Sequence, residues 1–143
     1  MSEATTKAIV IYDADCGFCR WTLAVLLSAD CPPAALRPLP SGTDEADRLL
    51  ADLTVAERNA SWHLVVDRGT PRAERFSAGA ALGPALALLP RGRRPAALLA
   101  RMPRLTERGY RWVADHRGLL GRFVPGRARR WADRVIAAHG GPF

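Results

Sequence analysis

The stretch AIVIYDADCGFC, residues 8–19, decides the fold of this chain. Its first part, Ala8 to Tyr12, is a continuous apolar run of the kind that forms a buried parallel strand. Cys16 and Cys19 follow after a short turn, where an amphipathic helical pattern begins and continues to about Ala29. We therefore predict a strand, a tight turn and a helix whose first turn carries both cysteines.

Two cysteines separated by two residues at a helix start have the minimal layout for dithiol–disulfide exchange. The first turn supplies unpaired N–H groups and the positive end of the helix dipole, and both stabilise a thiolate. Cys16 lies first in the turn, so we predict that it is the nucleophile. Cys19 shares the apolar face with Leu23 and Leu26, which predicts a more buried, resolving cysteine.

Two acidic residues, Asp13 and Asp15, precede the cysteine pair, and we include both among the candidate catalytic residues. Their carboxylates disfavour a further negative charge nearby, which favours a reductant or slow exchanger over a strong oxidant. Asp15 can alternatively cap the helix. Asp13 is either a proton relay for Cys19 or a plain turn residue.

The composition describes a single domain of 143 residues that needs no covalent staples. Three cysteines, the third being Cys31, do not form a secreted disulfide framework. The N-terminus does not resemble a signal peptide, and the longest apolar stretch, Ala78 to Leu89, is too short to span a bilayer. These features predict a protein of the reducing cytoplasm without a membrane span.

Charge is distributed unevenly along the chain. Residues 1–67 carry five Lys and Arg against ten Asp and Glu, whereas residues 68–143 carry sixteen Arg against four acids. This imbalance is compatible with an anionic partner. We favour mutual compensation of the two halves, because no nucleic-acid-binding motif accompanies the arginines.

The remaining patterns predict a compact order of elements after the first strand and helix. The predicted elements are a short strand at Ala35–Pro38 restricted by Pro38 and Pro40, a helix at Glu45 to Leu53, a helix from Thr54 with Glu57 as a capping-box partner, a strand at Trp62–Asp67, a turn at Gly69-Thr70-Pro71, a strand at Arg72–Phe76 and a helix from Ser77 to Leu89. This order matches a thioredoxin-like α/β sheet over residues 8–90.

A basic helical extension over residues 95–139 completes the predicted domain. Its first helix has an apolar face formed by Leu105, Trp112, Val113, His116 and Leu120 and a cationic face formed by Arg104, Arg108 and Arg111. Its second helix, around Arg127–His139, repeats the apolar pattern with Trp131, Val135, Ile136 and His139. We expect both apolar faces to pack on the core.

The segment Ile11 to Cys19 resembles the motif of the DCC family of predicted thiol-disulfide oxidoreductases, also known as the domain of unknown function 393. Ser77 to Leu82 and Tyr110 to Arg117 resemble later segments of the same family. The resemblance covers roughly residues 8–125 and implies a thioredoxin-like fold and a protein-disulfide reductase type of activity, with a disulfide-bearing protein or a small thiol as partner. The chain departs from thioredoxins before the third strand, where Asn59 to Trp62 contains no cis-proline.

Three alternatives remain open at this point. Cys16 and Cys19 could bind zinc with Cys31 and His63, although a second close ligand pair is missing. A glutathione-linked role could use Arg20 or a downstream Arg to hold a carboxylate. The pair could also be incidental in a non-catalytic basic interaction module. We assign no cofactor and no metal, and the sequence identifies neither the substrate nor the oligomeric state.

Overall fold

The computed structural model describes residues 8–30, 35–66 and 74–141. Four features considered above lie outside these residues: the N-terminal segment, Cys31, the two prolines that follow it, and the predicted turn at residues 69–71. Among the described residues, none of the helices combines the length and the apolar character that a membrane span requires.

A four-stranded mixed sheet forms the centre of the fold. Its strands are β1 (Ala8–Tyr12), β2 (Leu36–Pro40), β3 (His63–Val66) and β4 (Glu74–Ser77). Their spatial order is β2-β1-β3-β4, and β1 is parallel to β2 but antiparallel to β3, which pairs antiparallel with β4. The strand β2 lies at an edge, as its prolines predict, because proline cannot donate a ladder hydrogen bond.

Eight helices in the described residues surround or follow this sheet. They are α1 (Gly17–Ser28), α2 (Asp44–Leu49), α3 (Val55–Ala60), α4 (Leu82–Ala87), α5 (Arg93–Arg101), α6 (Pro103–Asp115), α7 (Arg117–Arg122) and α8 (Gly126–Ala138). The predicted capping box of α3 is present, with Thr54 and Glu57 each accepting a hydrogen bond from the backbone N–H of the other.

Alternate residues of β1 point into two apolar clusters on opposite faces of the sheet. Val10 packs in a cluster with Leu27 of α1 and Ile136 of α8, and all three are fully buried. Ile11 packs on the other face, where α2 contributes Ala46. Helices thus cover both faces of the sheet, and the predicted α/β fold with a helical C-terminal region is confirmed.

The predicted helix from Ser77 to Leu89 is wrong at its start. β4 continues through Ser77, a 3-10 turn covers Ala78–Ala81, and α4 begins only at Leu82. Ala78 has a φ of 56°, a left-handed conformation that no α-helix contains. The strand must end before a regular helix can begin.

The expected core-facing stripe on the first C-terminal helix is also wrong. None of the α6 side chains is fully buried, and Leu105 and Trp112 are 62% and 59% exposed. The pattern does not run through one helix either, because α6 ends at Asp115 and α7 begins at Arg117. Two residues of the stripe, Leu105 and Val113, line a cavity instead of the core.

The second C-terminal helix, α8, packs as expected against α1. Ile136 is fully buried, and His139 at the end of α8 lies against Asp30 at the end of α1. The Asp30 carboxylate accepts the backbone N–H groups of Ala35 and Leu36 at 3.0–3.2 Å, and His139 Nε2 lies 3.2 Å from the Asp30 carbonyl oxygen. These contacts hold α1, β2 and α8 together.

Candidate active site

Cys16 occupies the N-cap position of α1, with an extended backbone. Its Sγ accepts the backbone N–H of Cys19 at 3.2 Å, so the sulfur takes the role that a hydroxyl or carboxylate oxygen has at other helix starts. A negative sulfur in this position is stabilised by that N–H and by the helix dipole. The helix start therefore offers the Cys16 sulfur one backbone N–H and the positive end of the helix dipole.

Cys19 lies one turn further along α1 and differs strongly from Cys16. Burial, the side-chain hydrogen bond to Cys16 and the charge of Cys16 together raise the pKa of Cys19 to about 12, and burial is the largest of these causes. Cys19 therefore remains a thiol at neutral pH and can donate its proton towards the neighbouring sulfur. Both cysteines are free in the structure, and both are half-buried.

Asp13 is fixed in the turn between β1 and α1. Its Oδ1 accepts the backbone N–H of Asp15 at 3.0 Å, and its Oδ2 lies 3.9 Å from Nη1 of Arg117. The Asp13 charge raises the pKa of Cys19 and the Arg117 charge lowers it, so the two groups oppose each other at this sulfur. The structure thus brings Asp13 together with the cysteine pair.

Asp15 stands apart from this arrangement. Its side chain is exposed, and the N-cap of α1 is Cys16 and not Asp15. The alternative that Asp15 caps the helix is therefore wrong.

Arg117 and Tyr110 are site residues that chemical reasoning from the sequence missed. The hydroxyl of Tyr110 in α6 accepts the backbone N–H of Trp62 at 3.3 Å, immediately before β3. Burial raises the pKa of Tyr110, and the charge of Cys19 contributes in the same direction. The sequence signal for Tyr110 and Arg117 was that the segment between them resembles a family segment.

A close backbone approach positions α6 over this site. A Cβ placed on Gly79 would lie 2.9 Å from Cα of Glu107 in α6. Only glycine allows the 3-10 turn and α6 to come this close. Gly79 thereby helps to place Tyr110 against Trp62.

A cavity of about 700 Å³ opens beside the dithiol, between α1 and the pair α5 and α6. Its walls are mainly apolar side chains. They include Phe18, Leu23, Trp62, Leu99 and Val113, and Cys19 forms part of the same wall. Cavities of this size are typical of sites for small molecules.

Metal binding finds no support in the described part of the chain, where no group of three or more His, Cys, Asp or Glu side chains is arranged to hold an ion. His63, a ligand in the alternative zinc site, is buried and uses both ring nitrogens in hydrogen bonds, to Ser77 at 2.6 Å and to the carbonyl of Arg58 at 3.1 Å. Cys31 lies outside the described residues.

A mixed sheet in the order β2-β1-β3-β4 with a dithiol at the start of α1 defines a thioredoxin-like dithiol protein. The sequence profile of the DCC1-like thiol-disulfide oxidoreductases matches residues 10–123. The chain therefore belongs to the DCC1-like thiol-disulfide oxidoreductase family. No curated protein and no solved structure is significantly similar to it.

Proposed function

We propose that this protein is a dithiol–disulfide oxidoreductase of the reductase type, with Cys16 as nucleophile and Cys19 as resolving thiol. The observation that carries the proposal is the hydrogen bond from the Cys19 N–H to Cys16 Sγ at the N-terminus of α1. It stabilises the thiolate of one cysteine while burial keeps the other protonated. Membership of the family supports the same chemistry.

The proposed reaction has two exchange steps. The Cys16 thiolate attacks one sulfur of a substrate disulfide, which forms a mixed disulfide and releases the other substrate sulfur as a thiol. Cys19 then loses its proton and attacks Cys16 Sγ, closing the Cys16–Cys19 disulfide and releasing the second substrate thiol. The protein gives up two electrons, and the substrate takes up two electrons and two protons.

The two carboxylates have different proposed parts in this cycle. Asp13 is close enough to influence the ionisation of Cys19, which supports a role in receiving its proton, and Arg117 balances the charge of Asp13. Asp15 contributes its backbone N–H, which fixes the Asp13 side chain. The substrate is a disulfide-bearing protein or a small disulfide, and the low cysteine content supports action in a reducing cytoplasm.

An equilibrium redox titration tests this function. We expect Cys16 and Cys19 to interconvert reversibly at about −270 mV or below, near the thioredoxin end of the scale, because the Asp13 carboxylate disfavours negative charge on the reduced pair. Repeating the titration with a chelator should not change the midpoint. If no reversible Cys16–Cys19 disulfide formed, the proposed function would be wrong.

A further inference from the structure

The cavity beside the dithiol indicates which class of substrate the protein accepts. This inference rests on the function proposed above. Cys19 forms part of its wall, and Cys16 Sγ is hydrogen-bonded to the backbone of Cys19. A group bound in the cavity would therefore lie next to the sulfur that resolves a mixed disulfide. The character of the cavity then limits which disulfides can react.

Several polar groups around the cavity are already engaged within the protein. The Thr22 hydroxyl lies at hydrogen-bond distance from the carbonyls of its own helix, and the Trp62 indole N–H donates to the Ala78 carbonyl at 3.0 Å. The Arg58 guanidinium donates to the carbonyls of Leu50 and Leu53 at 3.0 and 3.1 Å. An occupant gains mainly by burying apolar surface.

The site is poorly suited to binding an extended polypeptide. The backbone N–H of Trp62, which lies at the cavity immediately before β3, is bonded to the Tyr110 hydroxyl. Docking of a peptide backbone as an added strand needs such main-chain groups to be free. The cavity does not strongly select a charged substrate either, because the charges of Asp13 and Arg117, whose side chains lie 3.9 Å apart, compensate each other.

We propose that the cavity is the substrate site and that its substrate is a neutral organic disulfide with an aromatic or alkyl body. That body enters the cavity while one of its sulfurs meets Cys16. The volume of about 700 Å³ suits such a molecule. The exchange is the two-step reaction given above, with the protein dithiol as the reductant.

Gly109 provides a sharp test, because it lines the cavity and a Cβ at this position meets nothing within 4 Å. Gly109→Leu therefore fills space that the substrate would occupy. Gly118→Leu is the matched control, since Gly118 is also helical and equally open but is not part of the cavity wall. Circular dichroism and thermal unfolding establish that both variants fold.

The experiment measures single-turnover loss of protein thiols with dibenzyl disulfide, bis(hydroxyethyl) disulfide and insulin. Each rate is divided by the rate of dithiothreitol with the same disulfide in the same solvent, which removes intrinsic reactivity. We expect the normalised rate of the wild-type protein to be about tenfold or more higher for dibenzyl disulfide than for bis(hydroxyethyl) disulfide. Gly109→Leu should abolish this ratio, and Gly118→Leu should retain it.

The outcomes separate this inference from the proposed function. Equal normalised rates for the two small disulfides, or a ratio unchanged by Gly109→Leu, would overturn the apolar substrate site and leave the oxidoreductase intact. A normalised rate with insulin above that with dibenzyl disulfide would overturn it in favour of protein substrates. No reaction with any disulfide would overturn both. The wild-type ratio decides the matter even if Gly109→Leu fails to fold.

Discussion

At the scale of single residues, the two cysteines of this site are chemically unequal although they share one helical turn. Cys16 Sγ receives a backbone N–H, whereas Cys19 lies in an apolar wall that raises its pKa to about 12. A thiol that ionises so reluctantly is a poor attacking group until a mixed disulfide lies next to it. This difference supports the proposed order of the two steps.

Trapping experiments test the assigned order. Cys19→Ser should accumulate mixed disulfides on Cys16, because no thiol remains to resolve them, whereas Cys16→Ser should accumulate none. Mass spectrometry of each variant after exposure to a small disulfide measures this directly. Equal trapping by both variants would show that the assignment is wrong.

His63 makes stability depend on pH in a defined window. Its Nε2 lies 3.1 Å from the Arg58 carbonyl, which can only accept, so the proton is on Nε2 and Nδ1 accepts from the Ser77 hydroxyl. Burial lowers the pKa of His63 below 6.5. The unfolded chain therefore binds a second imidazole proton at His63 more readily than the folded protein does.

The sign of the effect follows from proton linkage. The contribution of His63 is complete above the unfolded pKa of about 6.5 and is lost as the pH falls towards the lower folded pKa. Urea unfolding of the wild-type protein between pH 7.5 and 5 should show falling stability, with at most about 1.4 kcal/mol per pH unit from this group. His63→Asn should flatten the slope in this window, and an unchanged slope would contradict the prediction.

At the scale of elements, the placement of α6 depends on one contact with the 3-10 turn after β4. Cα of Glu107 would lie 2.9 Å from a Cβ on Gly79, a separation that side chains do not tolerate. Tyr110 follows Glu107 by one turn and contacts Trp62, so the position of α6 determines one wall of the site.

Gly79→Ala should force these elements apart and lower the free energy of unfolding by about 1–3 kcal/mol, a typical cost of overpacking. It should also slow thiol exchange, because the Tyr110 wall moves. Gly109→Ala is the control in α6: its Cβ meets nothing within 4 Å, so it should stabilise the helix by about 0.5–1 kcal/mol. Chemical denaturation of both variants measures the difference, and equal stabilities would refute the close contact.

Local signals in the sequence predicted the elements where local chemistry determines them. The apolar run of β1, the cysteine turn of α1 and the capping box at Thr54 and Glu57 were all predicted and are confirmed. The start of α4 was not predicted correctly, because no residue near Ala78 in the sequence signals its left-handed backbone. Periodicity also identified the apolar face of α6 without revealing that Leu105 and Val113 line a cavity while Trp112 is exposed, since a helical repeat does not specify what lies opposite.

At the scale of the whole molecule, several contacts link the acidic and basic parts of the chain. Asp13 pairs with Arg117 at 3.9 Å, and Asp52 binds Arg75 through both carboxylate oxygens. Arg75 holds the pKa of Asp52 at about 2. These pairs support mutual compensation as one reason for the uneven distribution of charge.

The cationic face of α6 tests how far this compensation extends. Arg104, Arg108 and Arg111 are exposed, and Arg111 pairs with Glu107 of its own helix at 3.3 Å. Changing all three to Gln should alter stability by less than about 1 kcal/mol and leave exchange with bis(hydroxyethyl) disulfide unchanged, because solvated cations contribute little to either. Salt-sensitive retention of the wild-type protein on nucleic acid or acidic lipid, lost in the triple variant, would instead support an interaction module.

The contact between Asp30 and His139 has a consequence for how the dithiol is made. The two residues are 109 positions apart, yet the helix that Cys16 caps completes its packing only when α8 has reached it. At a synthesis rate of about 5–20 residues per second, this interval lasts roughly ten seconds. A nascent chain therefore presents both thiols to its surroundings long before their helix is anchored, and a premature encounter with an oxidant would be resolved outside the geometry that distinguishes Cys16 from Cys19.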